Sequence, residues 1–340
     1  MRLELPGLFD LQVNGFGGID FNGRDLTAED VTEALERMRL TGVTRCLPTL
    51  ITSSFEDFAT NVRVLTSVDH PAIAGIHMEG PYVSPSDGAR GAHSTAHVLD
   101  ASVDDFKRRQ DAARGRIALV TLAPEVPGAL ALVEHLVAAG VRVAIGHTAA
   151  TPEQLRDGIA AGATIATHLG NGCPQMLPRH PNVIWELLAA DDVYASVIAD
   201  GHHLPSSTLK SIVRAKGVER TILVTDAISA AGCSATCPPK LEERRRKASA
   251  ERRFTIGDVV CELAADGRVS LPGTPYLAGS SLTLDRAIAN TVRATGLPIE
   301  TVVPMATAIP AGCLGMTPAG TVVADWNPAT YELRVCDVAA

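Results

Sequence analysis

The sequence lacks any apolar run of the roughly 20 residues that a membrane-spanning helix needs, so no such helix is expected. It also lacks a basic excess: 30 Lys and Arg face 38 Asp and Glu, a formal net charge of −8. An acidic chain repels phosphate backbones and anionic lipid surfaces, which argues against a nucleic-acid or membrane partner. The opening stretch MRLELPGLFD has no apolar h-region of a secretory signal, and a cytoplasmic location is expected. A disulfide framework is missing as well. Seven cysteines are an odd count, and their scatter reads as reduced thiols. Cys233 and Cys237 are the nearest pair, but one pair without a second makes a poor metal site, and structural or incidental roles are expected. No internal repeat or low-complexity tract stands out.

What is present is a 340-residue chain, 46% hydrophobic and 20% charged, as in a soluble globular enzyme with a large core. Short β-rich runs alternate with amphipathic helical stretches. The expected strands are residues 7–13, 44–51, 72–78, 117–123, 141–147, 164–169, 194–200 and 221–226; expected helices include 29–41, 55–67, 127–139, 152–161 and 206–216. Thr151-Pro152 places a Thr N-cap before an N1 proline, and Pro205-Ser206 opens another helix. Eight strands alternating with helices point to a parallel sheet, and eight is the number that closes a (β/α)8 barrel. The fold class is therefore α/β, a (β/α)8 TIM-like barrel.

The stretch AIAGIHMEGPYVS, residues 72–84, ends an apolar strand in a carboxylate, Glu79. An ionised carboxylate out of water is costly unless a positive group pairs with it. Alone, it reads as a salt-bridged or solvated loop residue. Other polar residues repeat the pattern at strand ends: Asp10, Gln12, Asn14, Glu125, His147, His168, Asp200, His203 and Asp226. In a barrel those ends converge on one face, where active sites sit. Glu79, His147 and His168 are O, N, N donors of the kind that hold a catalytic zinc with an open position, and Asp226 would then work on water at that ion. Four independently satisfied polar residues are the plain alternative.

The residues resemble the N-acetylglucosamine-6-phosphate deacetylases of the amidohydrolase superfamily. The matching segments are PGLFDLQVNGFGGIDFN (6–22), HMEGPYVSPSDGARGAH (77–93), TLAPE (121–125), GHT (146–148), THLGNGCPQMLPRHP (167–181), IADGHHL (198–204), VTDAISAAG (224–232) and LAGSSLTLDRAI (277–288). They cover most of the chain from Pro6 to about Asp325. The resemblance implies that Glu79, His147 and His168 are metal ligands, that Asp226 takes the proton of the attacking water and gives one to the departing amine, and that His93 helps hold the carbonyl oxygen. It puts Asn171 and Gly172 on the substrate, Arg179 and His203 on its phosphate, and Arg90 as a further anion donor. The first strand carries Gln12-Val13-Asn14 where many amidohydrolases have His-x-His. That implies one divalent ion, zinc first, with iron, manganese or cobalt able to use the same ligands. The implied reaction is hydrolysis of the acetamide of N-acetyl-D-glucosamine 6-phosphate, by a homodimer acting on a small-molecule amino-sugar phosphate.

Some features depart from the family pattern. The loop SPSDGARGAH (84–93) looks longer than usual, and the chain begins almost at the first barrel strand. Only residues 320–335 are expected to supply strands to a small β-sandwich, which is therefore read as reduced. The domain reading is a barrel over 5–318, interrupted by a charged helix and β-hairpin at about 234–275, and C-terminal strands at 319–340. The charge-dense run 240–253 reads as a solvated surface helix, or as an anion-attracting lid or subunit contact; 254–271 reads as a hairpin turning at Asp266-Gly267. The AGSS stretch (278–281) is expected to cap a helix starting near Leu282 or to line the site. Two other functions stay open: a related amidohydrolase with another N-acetyl-hexosamine phosphate or amide substrate, and a non-catalytic sugar-phosphate-binding barrel.

Overall fold

A computed structural model describes residues 1–233 and 253–339. Cys237 and nearly all of the charge-dense run lie outside the described residues. Eight parallel strands form one sheet: β2 (Leu8–Val13), β5 (Val43–Ile51), β6 (Ile76–Glu79), β7 (Ile117–Leu122), β8 (Arg142–Ile145), β9 (Ile165–Ala166), β10 (Tyr194–Ile198) and β11 (Thr221–Val224). They neighbour one another in that order. All eight expected strands are found, with ends that shift by a few residues. β2 and β6 are buried at every position, as strands covered on both faces must be.

The barrel closes between β11 and β2. Val13 bridges Ala227 in parallel, and Asp226 N donates to Gln12 O at 3.0 Å. Asp10 sits in this seam. Its carboxylate accepts from Thr225 Oγ1 at 2.6 Å and from the Thr225 and Gln12 amides, each at 3.2 Å. Burial pushes its pKa up to about 7.

Helices cover the outside. Each buries one stripe: α1 (Ala28–Arg39) turns Val31, Ala34, Leu35 and Met38 inward, the spacing of one helical face. Thr27 caps it in a reciprocal capping box with Asp30, and Thr151 does the same with Gln154 at the start of α5 (Pro152–Ala160), with Pro152 in the first turn. α2 (Phe55–Ser67), α3 (Val103–Ala112), α4 (Ala129–Ala138), α6 (Val183–Ala189), α7 (Ser206–Lys216) and α8 (Leu284–Thr295) complete the longer helices among the described residues. The last of these starts at Leu284 with Thr283 at its N-cap, so the AGSS stretch does not cap it. Ser280 Oγ instead donates to Thr225 O at 2.6 Å and accepts from Leu282 N at 3.0 Å, pinning that stretch to the end of β11.

Two further antiparallel sheets flank the barrel. One joins β1 (Arg2–Pro6), β15 (Thr321–Asn327) and β16 (Glu332–Ala339). The sequence reading gave only 320–335 to this unit. Arg2–Pro6 belongs to it too, because its alternating half-buried pattern suits an edge strand covered on one face. The other sheet joins β12 (Arg253–Ile256), β13 (Val259–Leu263) and β14 (Val269–Ser270). It is a three-stranded meander rather than a single hairpin, turning at Gly257-Asp258 as well as at Asp266-Gly267. Asp20 anchors it, accepting from Thr255 Oγ1 at 3.0 Å and Gly257 N at 2.9 Å.

Candidate active site

The polar residues at the strand ends meet where the barrel fold places them. Glu79 is the last residue of β6, and His147, His168 and Asp226 each stand two residues past a strand, β8, β9 and β11. All four are buried. The last three share a backbone oddity: His147, His168 and Asp226 have φ of 49°, 32° and 50°. Non-glycine residues rarely adopt this left-handed region, and such strain gathers at functional sites. Here it turns each side chain from the strand direction into the mouth of the barrel.

Glu79, His147 and His168 form a group that can hold a metal ion, with ligand atoms within 4.8 Å of one another. Glu79 Oε1 lies 3.2 Å from the Nε2 of each histidine, and the two Nε2 atoms are 3.1 Å apart. His147 Nδ1 lies 3.0 Å from the Ala89 carbonyl, which only accepts. The ring proton therefore sits on Nδ1, and the Nε2 lone pair faces the centre of the cluster. His147 Nε2 thus offers a lone pair toward Glu79 Oε1 and His168 Nε2, as a metal ligand does. Donors bound at 2.0–2.2 Å around one tetrahedral ion stand about 3.3–3.6 Å apart, close to the spacing here. Burial pushes the Glu79 carboxylate up, but the neighbouring His147, His168 and His93 outweigh that and hold it well below the usual range.

Asp226 stands beside this cluster. Its Oδ1 accepts from Gln12 Nε2 at 3.2 Å and Asn14 Nδ2 at 2.7 Å. Gln12 Nε2 also donates to Glu79 Oε1 at 3.0 Å, so one amide ties the two carboxylates together. Burial, then the charge of Glu79, push Asp226 up to about 6. The sequence reading placed Gln12 and Asn14 among the strand-end polar residues and took them as a sign of a single ion; their amides are donors to the carboxylates. Val13 between them points the other way along the strand, and that alternation was the signal available for finding them.

His93 is buried, with its ring edge-on to His147 at a centroid distance of 4.2 Å. Its Nδ1 is 2.8 Å from Thr52 Oγ1. A hydroxyl donating there puts the ring proton on Nε2, ready to donate to a carbonyl oxygen. Burial, then the neighbouring His147, push this imidazole down to about 3.

These groups line a cavity of about 410 Å³. Asn171, Gly172 and His203 line it as well, and His203 Nδ1 is paired with Asp200 Oδ2 at 2.7 Å. His202 instead faces the Asp266 carbonyl at 3.2 Å, which favours His203 of the two. Ile256 and the 275–279 segment, Ala278 and Gly279 included, form a wall of the cavity that sequence patterning attached only loosely to the site. Two expected residues are not brought in. Arg90 turns its two terminal nitrogens to its own loop, donating to His93 O and Asp87 Oδ1, and does not line the cavity. Arg179 is exposed, between the lining residues Leu177 and Ile184 but not itself in the lining. Glu125 also stays out, holding Thr148 Oγ1 and Ala149 N at 2.6 Å.

A family model for the amidohydrolase family matches residues 4–325. The chain belongs to that family. Among its relatives, it is 33% identical to the N-acetylgalactosamine-6-phosphate deacetylase of Shewanella sp. (strain ANA-3), covering 98% of this chain and 81% of the relative. It is 32% identical to the N-acetylglucosamine-6-phosphate deacetylase of Homo sapiens, over 93% of this chain and 75% of the relative. The crystal structure of N-acetyl-D-glucosamine-6-phosphate deacetylase from Mycobacterium smegmatis superposes with a TM-score of 0.86 at 31% identity, covering 99% of this chain and 86% of that one. A mutant of the same enzyme, solved in complex with N-acetyl-D-glucosamine-6-phosphate, superposes equally well, over 98% of this chain and 85% of that one. In this amidohydrolase the strand ends of the barrel converge on the Glu-His-His cluster, which could hold a metal ion.

Proposed function

We propose that the protein hydrolyses the acetamide of N-acetyl-D-glucosamine 6-phosphate, giving glucosamine 6-phosphate and acetate. One observation carries this reading: Asp226 stands beside the Glu79–His147–His168 cluster in the cavity. The solved M. smegmatis complex with the named sugar phosphate, at 31% identity, supports the substrate.

Glu79, His147 and His168 hold one divalent ion, with zinc the choice that suits an O, N, N set and an open position. When bound, it supplies Lewis-acid polarisation of the carbonyl and acidification of water. Asp226 accepts a proton from the attacking water and delivers one to the nitrogen, which cannot leave as an anion. Gln12 and Asn14 anchor Oδ1, so Oδ2 is the oxygen that trades protons. His93 donates to the carbonyl oxygen as charge develops, worth about 3 kcal/mol for a well-aimed donor. Asn171 and Gly172 orient the sugar, and His203, backed by Asp200, meets the phosphate. Arg179 joins the phosphate only from the exposed side of its loop. The protein is taken as a cytoplasmic homodimer, with a barrel over 5–318, an insertion at about 234–275 and C-terminal strands at 319–340.

A second substrate is favoured by one observation, the 33% identity to an N-acetylgalactosamine-6-phosphate deacetylase. The two sugars differ only at C4. The deciding experiment follows acetate release from both sugar phosphates, and from unphosphorylated N-acetylglucosamine, with metal content measured on the same sample. Turnover of the glucosamine compound at the highest kcat/KM, lost on chelation, supports the proposal. A clear preference for the galactosamine compound replaces it with the second reading. No acetate from either, with one ion bound per chain, rejects both.

A further inference from the structure

Asn14 follows directly on β2, and its backbone is fixed on both sides. Its N–H donates to Ala227 O at 2.7 Å, and its carbonyl accepts from Phe21 N at 2.9 Å. The residue is 1% exposed and lines the cavity. Its side-chain amide is used at one end only. Nδ2 donates to Asp226 Oδ1 at 2.7 Å. A carboxylate accepts, so the amino end must face Asp226 and Oδ1 must face away from it. Among the described residues, Asn14 Oδ1 has no hydrogen-bond partner. A buried acceptor left unmatched costs about 1–3 kcal/mol, a cost that a donor brought in by the ligand would relieve.

We propose that Asn14 is a positioning residue for the scissile amide, its Oδ1 accepting the substrate N–H while its Nδ2 holds Asp226. The assignment rests on the deacetylase reading given above. In the reaction, the water oxygen bonds to the acetamide carbon and its proton passes to Asp226 Oδ2. The proton then passes to nitrogen as the C–N bond breaks, giving acetate and the free amine. The original amide proton stays on nitrogen throughout, and Asn14 binds it without taking it. Fixing that N–H on one side turns the nitrogen lone pair toward Asp226 Oδ2 as the nitrogen becomes tetrahedral. One side chain thus aligns both partners of the second proton transfer.

An acetate ester of the same shape separates the two ends of Asn14. It needs Asp226 for water attack but has no N–H to offer. The test compares kcat/KM for N-acetylglucosamine 6-phosphate and for 2-O-acetylglucose 6-phosphate in wild type, Asn14→Ala and the near-isosteric Asn14→Leu. Loss of Nδ2 should slow both substrates. Loss of Oδ1 should slow the amide alone, so the amide-to-ester ratio should fall by about tenfold or more. Asn14→Asp retains an oxygen and loses the donor, and should slow both substrates while bringing the ratio back toward wild type. Metal content and elution volume identify variants that have not folded, and the Leu variant fills the space if Ala leaves a collapsed site. An unchanged ratio in the Ala and Leu variants overturns the proposal, as does an Asp variant whose ratio follows theirs. Wild-type protein inactive on the amide overturns the deacetylase reading itself and this assignment with it, a result distinct from an active enzyme with an unchanged ratio.

Discussion

Gly172→Ala should weaken metal binding without touching a ligand. Gly172 has φ of +56°, and a Cβ built there would stand 3.0 Å from His147 Nδ1 and 3.1 Å from His168 Cε1. The left-handed backbone costs an alanine about 1–2 kcal/mol. The contact adds a second effect, because both rings must yield by a few tenths of an ångström, and His147 Nδ1 is also held at 3.0 Å by Ala89 O. Disturbing the partner that orients a ligand ring typically costs about 10–100-fold in metal affinity. A hundredfold loss removes about 2.7 kcal/mol of metal-induced stabilisation at a fixed, saturating metal concentration. Gly170→Ala is the control. It lies in the same loop at φ +95°, but its Cβ would meet Leu204 Cδ2 at 3.1 Å, an apolar branch away from the ligands. The assay is chelator competition for the metal dissociation constant, with thermal melts of stripped and metal-loaded protein. Both variants should lose stability when stripped. Only Gly172→Ala should show a smaller gap between loaded and stripped melts. Equal metal affinities in the two variants would refute the argument that Gly172 makes room for the ligand rings.

Three further outcomes are expected. Asp226→Asn should retain metal and bind substrate while kcat falls by about 10²–10⁴-fold, the usual worth of general acid–base help; near-wild-type turnover would remove Asp226 from that role. His93→Ala should lower kcat by about a hundredfold with little change in KM, read by steady-state kinetics, because the donor acts on charge that develops late. Asp10 gives a pH dependence: its folded value near 7 lies above the ordinary 3.8, so the folded state favours the protonated form. That contribution is present below about pH 4 and is lost as pH rises through about 7. Thermal melts from pH 5 to 8 should therefore show wild type losing stability relative to Asp10→Asn, and parallel profiles would contradict it.

The alternation of apolar strands with one-faced helices carried the barrel, because a parallel strand buried on both faces leaves a short continuous apolar run that few other contexts produce. β6 and β10 read this way with little ambiguity. β9 did not: the structure keeps only Ile165–Ala166 as strand, since the chain turns at His168 to deliver its ring inward. The N-terminal strand Arg2–Pro6 was missed for a different reason. Its partner, Thr321–Asn327, is over 300 residues away, and no local pattern reports a pairing of that separation. Arg90 and Arg179 show a similar limit. A cation in a substrate loop has the right chemistry for a phosphate, but Asp87 and the His93 carbonyl compete for Arg90, and that competition is visible only once the loop is folded.

The handedness of the backbone explains why the candidate cluster was easier to find than its supports. Glu79 reaches the cluster as the last residue of a regular strand, whereas His147, His168 and Asp226 reach it through left-handed turns. The cost of those turns, about 1–3 kcal/mol each for a non-glycine residue, must be met by the fold around them. The hydrogen-bonding groups that meet it are ordinary in sequence. Thr225 ties the Asp226 turn to Asp10 at 2.6 Å, Ser196 Oγ accepts from His168 N at 2.7 Å, and Ser84 N holds the His147 carbonyl at 2.8 Å. A histidine or aspartate at a strand end announces chemistry by its side chain. The serine or threonine that holds its backbone in the rare conformation announces nothing until the strands are side by side. Site chemistry is written in residue types, and site geometry in hydrogen bonds between residues as far apart in sequence as Asp10 and Thr225.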